Sequence, residues 1–157
     1  MPAFTNTHGM QRLIYERRHA GAGKGRAVQS EDNKAVVRRF LLEALGKLNA
    51  EVVEDVCAPN HVLSGPEFGT EGIAGTEIIK DAIEQFREEV GEVECTIQRQ
   101  IEEGEWVATS YTLSEENDVH MGILFSRVVA GKIEQSHVVA RTVSAAEAAS
   151  SARRAFN

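Results

Sequence analysis

Cysteine is scarce in this chain: Cys57 and Cys95 are the only two in 157 residues. They are too few and too scattered for a disulfide framework or a zinc site. Both sit among apolar neighbours, which suits buried free thiols in a reducing cytoplasm, the expected location. No apolar run approaches the ~20 residues that cross a bilayer, and the opening segment has no long apolar core of the secretory kind. No membrane partner is therefore expected. Basic charge is also short, with 17 Lys and Arg against 24 Asp and Glu for a net charge of -7. That is the wrong sign for an electrostatic hold on phosphate backbones, so no nucleic-acid partner is expected. The GAGKGR run from Gly21 has Arg18 where a phosphate loop needs its first Gly, and it lacks Ser or Thr after Lys24, which excludes that motif. There is no nucleophile-elbow signature. His61, His120 and His137 come from separate elements without ligand spacing, so no metal site is expected.

What is present fits one domain with a single core; 42% of residues are hydrophobic and 26% charged. Residues 1–29 carry Arg12, Arg17, Arg18, Lys24 and Arg26 against Glu16 alone, a net +4 beside -11 for the remainder. They read as a flexible basic leader, with a short helix or strand near Met10 to Tyr15 as the other option. A transit peptide is a lesser possibility, since Glu16 and the Arg17-Arg18 pair come without clear amphipathicity.

Residues 30–143 form the body. Ser30 can cap a first helix whose stripe is Val36, Val37, Phe40, Leu41, Ala44, Leu45 and Leu48. A shorter helix carries Val52, Val53, Val56 and Cys57, and Pro59 ends it. His61 to Ser64 reads as a short strand, and Gly65 to Gly75 as a glycine-rich loop able to lie over a pocket mouth. Thr76 caps a third helix with Ile78, Ile79, Ala82, Ile83, Phe86 and Val90 on its buried side, and Gly91 ends it. The period then changes to two: Val93, Cys95, Ile97 and Ile101 alternate with polar residues. Trp106 to Leu113 places Val107, Thr109, Tyr111 and Leu113 on one face. The stretch from Val119 to Val143 reads as a long hairpin turning at Ala130-Gly131, with Met121, Ile123 and Phe125 on one side, Leu124 and Val128 on the other, and both faces covered. Residues 144–157 form a helical tail whose Ser144 and Glu147 have capping-box spacing, with Phe156 available to dock on a neighbour.

Helix, helix, short strand, helix and four long antiparallel strands make an α+β order, a curved sheet wrapped around helices. The segments NKAVVRRFLLEAL, KLNAEVVEDVCAPNHV, the GxxG-T start of the third helix, EGEWVATSYTL and FSRVVAGKIEQS, in this order, resemble the nuclear-transport-factor-2-like superfamily. Within it the chain is similar to the SnoaL-like polyketide cyclases, from Asn33 to Thr142. The resemblance implies a cone of three helices in a strongly curved, mostly antiparallel sheet, an apolar pocket with a few polar groups, and a homodimer through the outer sheet face. The cyclases' acid/base Asp would fall at Leu124, two residues after Gly122. Their His before a Pro would fall at Ser64, with His61 three residues earlier, and the Trp after the GKI turn is replaced by His137.

The candidate chemistry follows. His120 shares the face of Leu124 by period two, either inside the cone as a proton acceptor or in solvent beside Asp118. His137 stands at the aromatic's place, as a second proton-transfer group or a core His bonded to backbone. Arg141 on the face of His137 could hold a ligand carboxylate or an exposed ion pair. Tyr111 could orient the ligand, and His61 could reach it or only cap its strand. The function expected is binding of a hydrophobic, partly polar small molecule, with cofactor-free acid/base chemistry of cyclase or isomerase type by His120 and His137 and with Tyr111, Arg141, His61 and Leu124 on the ligand. A non-enzymatic dimeric binding or assembly module is the alternative, and an epoxide hydrolase of the same fold would need two pocket aspartates that cannot be placed.

Overall fold

In the computed structural model the described residues are 26–155. The leader up to residue 25, with its Met10 to Tyr15 segment and most of the GAGKGR run, lies outside them, as does Phe156. Helix α1 (Arg26–Arg39) begins four residues before Ser30, which is therefore interior to the helix rather than its cap. The helix passes into a wider π turn, Phe40–Leu45, where Gly46 N donates to Leu41 O at 2.9 Å and Asn49 N to Ala44 O at 3.0 Å. That widening lets Leu41, Ala44 and Leu48 all face the core. Helix α2 (Glu51–Val56) follows.

Strand β1 (Cys57–Gly65) is longer than the pattern predicts. Pro59 falls in the irregular stretch of β1 between Cys57 and Val62, where the ladder to the last strand is interrupted and a missing N–H costs least. The glycine-rich segment expected as a loop instead holds β2 (Gly69–Ala74), which pairs back on β1 through Val62 with Ala74 and Leu63 with Ile73. Helix α3 (Glu77–Val90) starts after Thr76 and stops at Gly91, whose φ of 76° suits a residue without Cβ. Then come β3 (Glu94–Glu103), β4 (Trp106–Ser114), β5 (Asp118–Val129), β6 (Lys132–Ser144) and α4 (Ala145–Ala155). At the start of α4 the capping box forms in both directions: Glu147 N donates to Ser144 Oγ and Ser144 N to Glu147 Oε2, each at 3.2 Å.

The six strands form one curved, unclosed sheet in the order β2-β1-β6-β5-β4-β3. Every neighbouring pair is antiparallel except β1 with β6. Val37 and Leu41 from the first helical segment meet Val53, Val107, Leu124, Val128 and Ile133 in one core on the inner face.

Two one-residue bulges decide which side chains reach that core. On β3, Ile97 faces Tyr111 but Arg99 faces Ser110, so Gln98 is extra. Beyond it the alternation reverses, as a one-residue slip must. Gln100 turns inward, donating to Thr109 Oγ1 at 3.2 Å and to the Lys34 carbonyl at 3.3 Å. Ile101, expected inside, is 61% exposed on the outer face. On β6, Ile133 faces Val128 but Gln135 faces Arg127, leaving Glu134 without a residue opposite.

The β5–β6 hairpin turns where expected, with positive φ at both Ala130 (50°) and Gly131 (75°), the backbone twist that two-residue hairpins prefer. Ala carries a Cβ into a conformation that Asn tolerates better. Ala130→Asn is expected to raise the urea unfolding midpoint by the equivalent of about 0.5–1 kcal/mol, with unchanged circular dichroism; a lower midpoint would contradict this account of the turn.

Candidate functional site

The inner face of the sheet can be read row by row from the strand register. Val107, Ser126 and Ser136 form one row, Thr109, Leu124 and Val138 the next, then Tyr111, Gly122 and Ala140, and finally Leu113, His120 and Thr142. Polar groups cluster at both ends of this series.

At the first row, His61 from β1 and Ser126 are fully buried, as is Thr109 in the next row. His61 Nε2 lies 2.9 Å from Ser136 Oγ, while His61 Nδ1 and Ser126 Oγ have no partner among the described residues. An unmade bond of this kind costs about 1–3 kcal/mol. Burial pushes the His61 imidazole down to about 4, so the ring is neutral. His61 was expected to meet a ligand; enclosed as it is, it offers none a surface.

Tyr111 is buried in the third row, its ring laid across Gly122. A Cβ on Gly122 would stand 2.8 Å from the ring's Cζ and hydroxyl oxygen, which explains a glycine in mid-strand. Burial, then the Cys95 thiol and the Glu67 carboxylate, raise the phenol above its usual range, so Tyr111 stays a neutral hydrogen-bond donor. Leu124, 3% exposed, is core one row away.

His120 occupies the last row and faces inward as its period predicts. Its side chain is 27% exposed and packs edge-on against Phe86 of α3, with ring centroids 6.0 Å apart. Nε2 forms a short contact with Glu115 Oε1, and Nδ1 is 2.7 Å from Thr142 Oγ1. A carboxylate can only accept, so Nε2 carries the proton in the neutral ring; Nδ1 then accepts, and the Thr142 hydroxyl donates to it. Neither Glu115 nor Thr142 is suggested by the sequence alone, since Glu115 reads as a turn residue and Thr142 as one more strand threonine. His61 is far from this group: Ser126, in the row of His61's partner Ser136, is six residues from His120 along β5, about 20 Å.

His137 and Arg141 do not join the inner group. They face outward, opposite Phe125 and Met121 respectively. Counting residue by residue from the turn would put Arg141 opposite His120 and His137 opposite Leu124, on the inner face. The extra residue Glu134 moves each pairing by one and turns both side chains out. His137 Nδ1 lies 3.0 Å from Ser64 Oγ.

Among the described residues most of the outer face is left uncovered. Ile101, Met121, Ile123, Phe125 and Val139 are each at least 40% exposed, and Trp106 stacks on Phe125 with centroids 4.9 Å apart. Two open depressions, of about 520 and 440 Å³, lie on this face. Gln98, Ser110 and Ile123 line both, and Arg141 lines the larger. Among the described residues no three His, Cys, Asp or Glu side chains converge as a metal site would need, and no helix is long and apolar enough to cross a membrane.

The SnoaL-like domain profile matches residues 37–136. The chain belongs to the SnoaL-like domain family. No curated protein sequence matches it significantly. Among solved structures, this SnoaL-like chain is similar to a protein from Kribbella flavida DSM 17836 provisionally described as a ketosteroid isomerase, with TM-score 0.58 and 21% identity over 71% of this chain and 79% of that one. It is similar to IdmH of Streptomyces antibioticus, provisionally a polyketide cyclase, with TM-score 0.61 and 16% identity over 69% and 91%. It is also similar to an LEH-like epoxide hydrolase from M. tuberculosis, with TM-score 0.59 and 18% identity over 72% and 85%. At these identities the likeness is one of fold, and the nuclear-transport-factor-2-like α+β architecture expected from the sequence is the one observed. Fold leaves chemistry open.

His61 gives this site a pH signature. Its folded value of about 4 lies below the ordinary 6.5. Between the two, the unfolded chain binds the extra proton, so stability present above 6.5 is lost as pH falls toward 4. The size is about 3 kcal/mol. In urea unfolding at about pH 7 and about pH 4.5, His61→Gln is expected to lose clearly less stability than the unaltered protein over that interval. Equal losses would mean the imidazole is not held neutral by the core.

Proposed function

We propose that this SnoaL-like protein binds a hydrophobic, partly polar small molecule at the inner-face end that carries His120, and moves a proton on it without a cofactor, in the manner of a cyclase or isomerase. One observation carries this reading: a half-buried histidine faces inward with a carboxylate on one ring nitrogen and, on the other, only the hydroxyl of exposed Thr142, which a ligand's acidic proton would displace. Glu115 fixes the tautomer and stabilises the imidazolium that proton uptake creates. Phe86 and Leu113 supply apolar contact, and Tyr111, one row deeper, is a neutral donor for a ligand oxygen. The position of the cyclases' carboxylate is Leu124, buried and aliphatic, so His120 is the proton acceptor here. His137 has no part in the reaction on this reading, because it faces the opposite side of the sheet.

The test begins with native mass spectrometry, screening polyketide- and steroid-like compounds for a retained ligand, followed by turnover of that ligand. His120→Ala is expected to lower turnover by about 10²–10⁴-fold with the ligand still retained. Undiminished turnover in His120→Ala would end the assignment.

A second reading rests on the outer face. Its row of exposed apolar side chains, Ile101, Met121, Ile123, Phe125 and Val139, suits burial against a second copy of the same face in an isologous homodimer, and such a dimer would serve equally in a non-enzymatic binding or assembly module. Sedimentation at micromolar concentration is expected to give a dimer, and Ile123→Glu a monomer. A monomeric unaltered protein would remove this reading.

A further inference from the structure

Both ring nitrogens of His120 are already committed, Nε2 to Glu115 and Nδ1 to Thr142. The atom this arrangement presents outward is therefore not on the imidazole. It is the hydroxyl oxygen of Thr142, an exposed residue near the end of β6, which in the neutral ring donates to Nδ1, 2.7 Å away. Carboxylate, imidazole and hydroxyl stand in line, the order of parts that activates an oxygen nucleophile.

The sequence spreads these three parts over three elements, and the fold collects them. Glu115 lies in the turn after β4, which closes on itself by a bond from Glu115 N to Asp118 O at 2.9 Å. That bond holds the backbone from which the side chain, 16% exposed, reaches His120. Thr142 faces His120 across the β5–β6 ladder only because Glu134 shifts the register. Asn117 O accepts from Ala145 N at 2.8 Å and ties the same turn to the start of α4, just beyond Thr142. Phe86 packs against the imidazole in a T-shaped contact. The group is thus held at the open end of the β5–β6 hairpin, by the Glu115 turn, the start of α4 and α3, with Thr142 exposed.

We propose that Glu115, His120 and Thr142 form an acyl-transfer site, with Thr142 Oγ1 as nucleophile toward small activated esters or thioesters. Thr142 Oγ1 attacks the acyl carbon while its proton passes to His120 Nδ1. The bond from the acyl carbon to the leaving oxygen or sulfur then breaks, and the leaving group departs with the proton from Nδ1. Water attacks the acyl-threonine, gives a proton to Nδ1, and releases the carboxylic acid as Thr142 Oγ1 recovers that proton. Glu115 touches neither acyl group nor water; it is a positioning residue that keeps Nδ1 unprotonated. This goes beyond the proton-transfer reading, which needs no covalent intermediate.

The test uses the full chain with p-nitrophenyl acetate. The expected result is a burst of p-nitrophenol approaching one equivalent per chain, and one acetyl group located on Thr142 by peptide mapping after acid quench. Thr142→Val, nearly isosteric, abolishes the burst, and Thr142→Ser retains it. Glu115→Gln slows acylation about 100-fold or more, because an amide N–H facing Nε2 reverses the tautomer and protonates the nitrogen that Thr142 needs. Glu115→Asp restores part of the rate, which a merely structural role would not produce. Acetyl on lysine or on His120, or a burst undiminished in Thr142→Val, overturns the proposal, as does the absence of any burst. Turnover of a retained ligand that survives in Thr142→Val but not in His120→Ala would support proton transfer by His120 separately, so that failure of the burst and failure of that reading remain distinguishable.

Discussion

Glu134 has no residue opposite it in the hairpin of β5 and β6, and because successive side chains point to opposite faces of a strand, everything beyond it on β6 changes sides. Ile133 and Val128 are paired and buried before the bulge, and Ser136 and Ser126 are paired and buried after it. Without that residue the inner face of β6 would carry Gln135, His137, Val139 and Arg141. With it, the inner face carries Ser136, Val138, Ala140 and Thr142, smaller on the whole and uncharged, which fits beneath the helical segment of Val37 and Leu41. The charge of Arg141 and the ring of His137 go to the side where they need not be desolvated. Arg127 remains nearby on the outer face, bridging Glu105 at 2.9 Å and Glu134 itself at 3.3 Å, so the extra residue is held by a charge pair rather than left loose.

Much of this fold is legible in the sequence because it rests on local rules. The stripe from Val37 to Leu48, the alternation in Trp106 to Leu113 and in Met121 to Val128, the turn at Ala130-Gly131 and the Ser144/Glu147 box each depend on a few neighbouring residues. The structure realises all of them. What could not be read is what depends on partners distant in sequence. No local signal marks Gln98 or Glu134 as the residue to be left over, so alternation alone puts Ile101 on the wrong face, and the resemblance, which puts His137 and with it Arg141 toward the pocket, misses that both face outward. The Gly65 to Gly75 stretch has the composition of a loop, yet β1 offers an edge for Gly69–Ala74 to pair with. The inward face of His120 was legible because it depends only on its spacing from Leu124. Its two partners were not, since one comes from a turn and the other from across a shifted ladder.

The inner face separates two kinds of polar group. His61, Ser126 and Ser136 lie sealed in the core, where the ring is neutral and two polar atoms lack partners; their interest is to stability. His120, Glu115 and Thr142 lie where water can reach, and each of their contacts biases the next. Between them stand Leu124 and the Tyr111 ring pressed on Gly122, which fill the space that would otherwise join the two groups. The solvent-accessible polar group of the inner face thus lies at one end of the sheet rather than in its depth.

The parallel pairing of β1 with β6 carries a consequence in time. His61 and Ser136, whose side chains meet in the core, are 75 residues apart in the chain, and the strands between them pair mostly with their sequence neighbours. During synthesis, the meander from β3 to β5 can assemble as it emerges, while β1 with β2 waits with one long side unpaired until almost the whole domain is made. Closing such a distant contact is slow and entropically costly, and an unpaired strand edge in the interval is the feature that chaperones and unwanted partners recognise. Only the side of β1 that faces β6 waits in this way, since β2 already lies along its opposite edge.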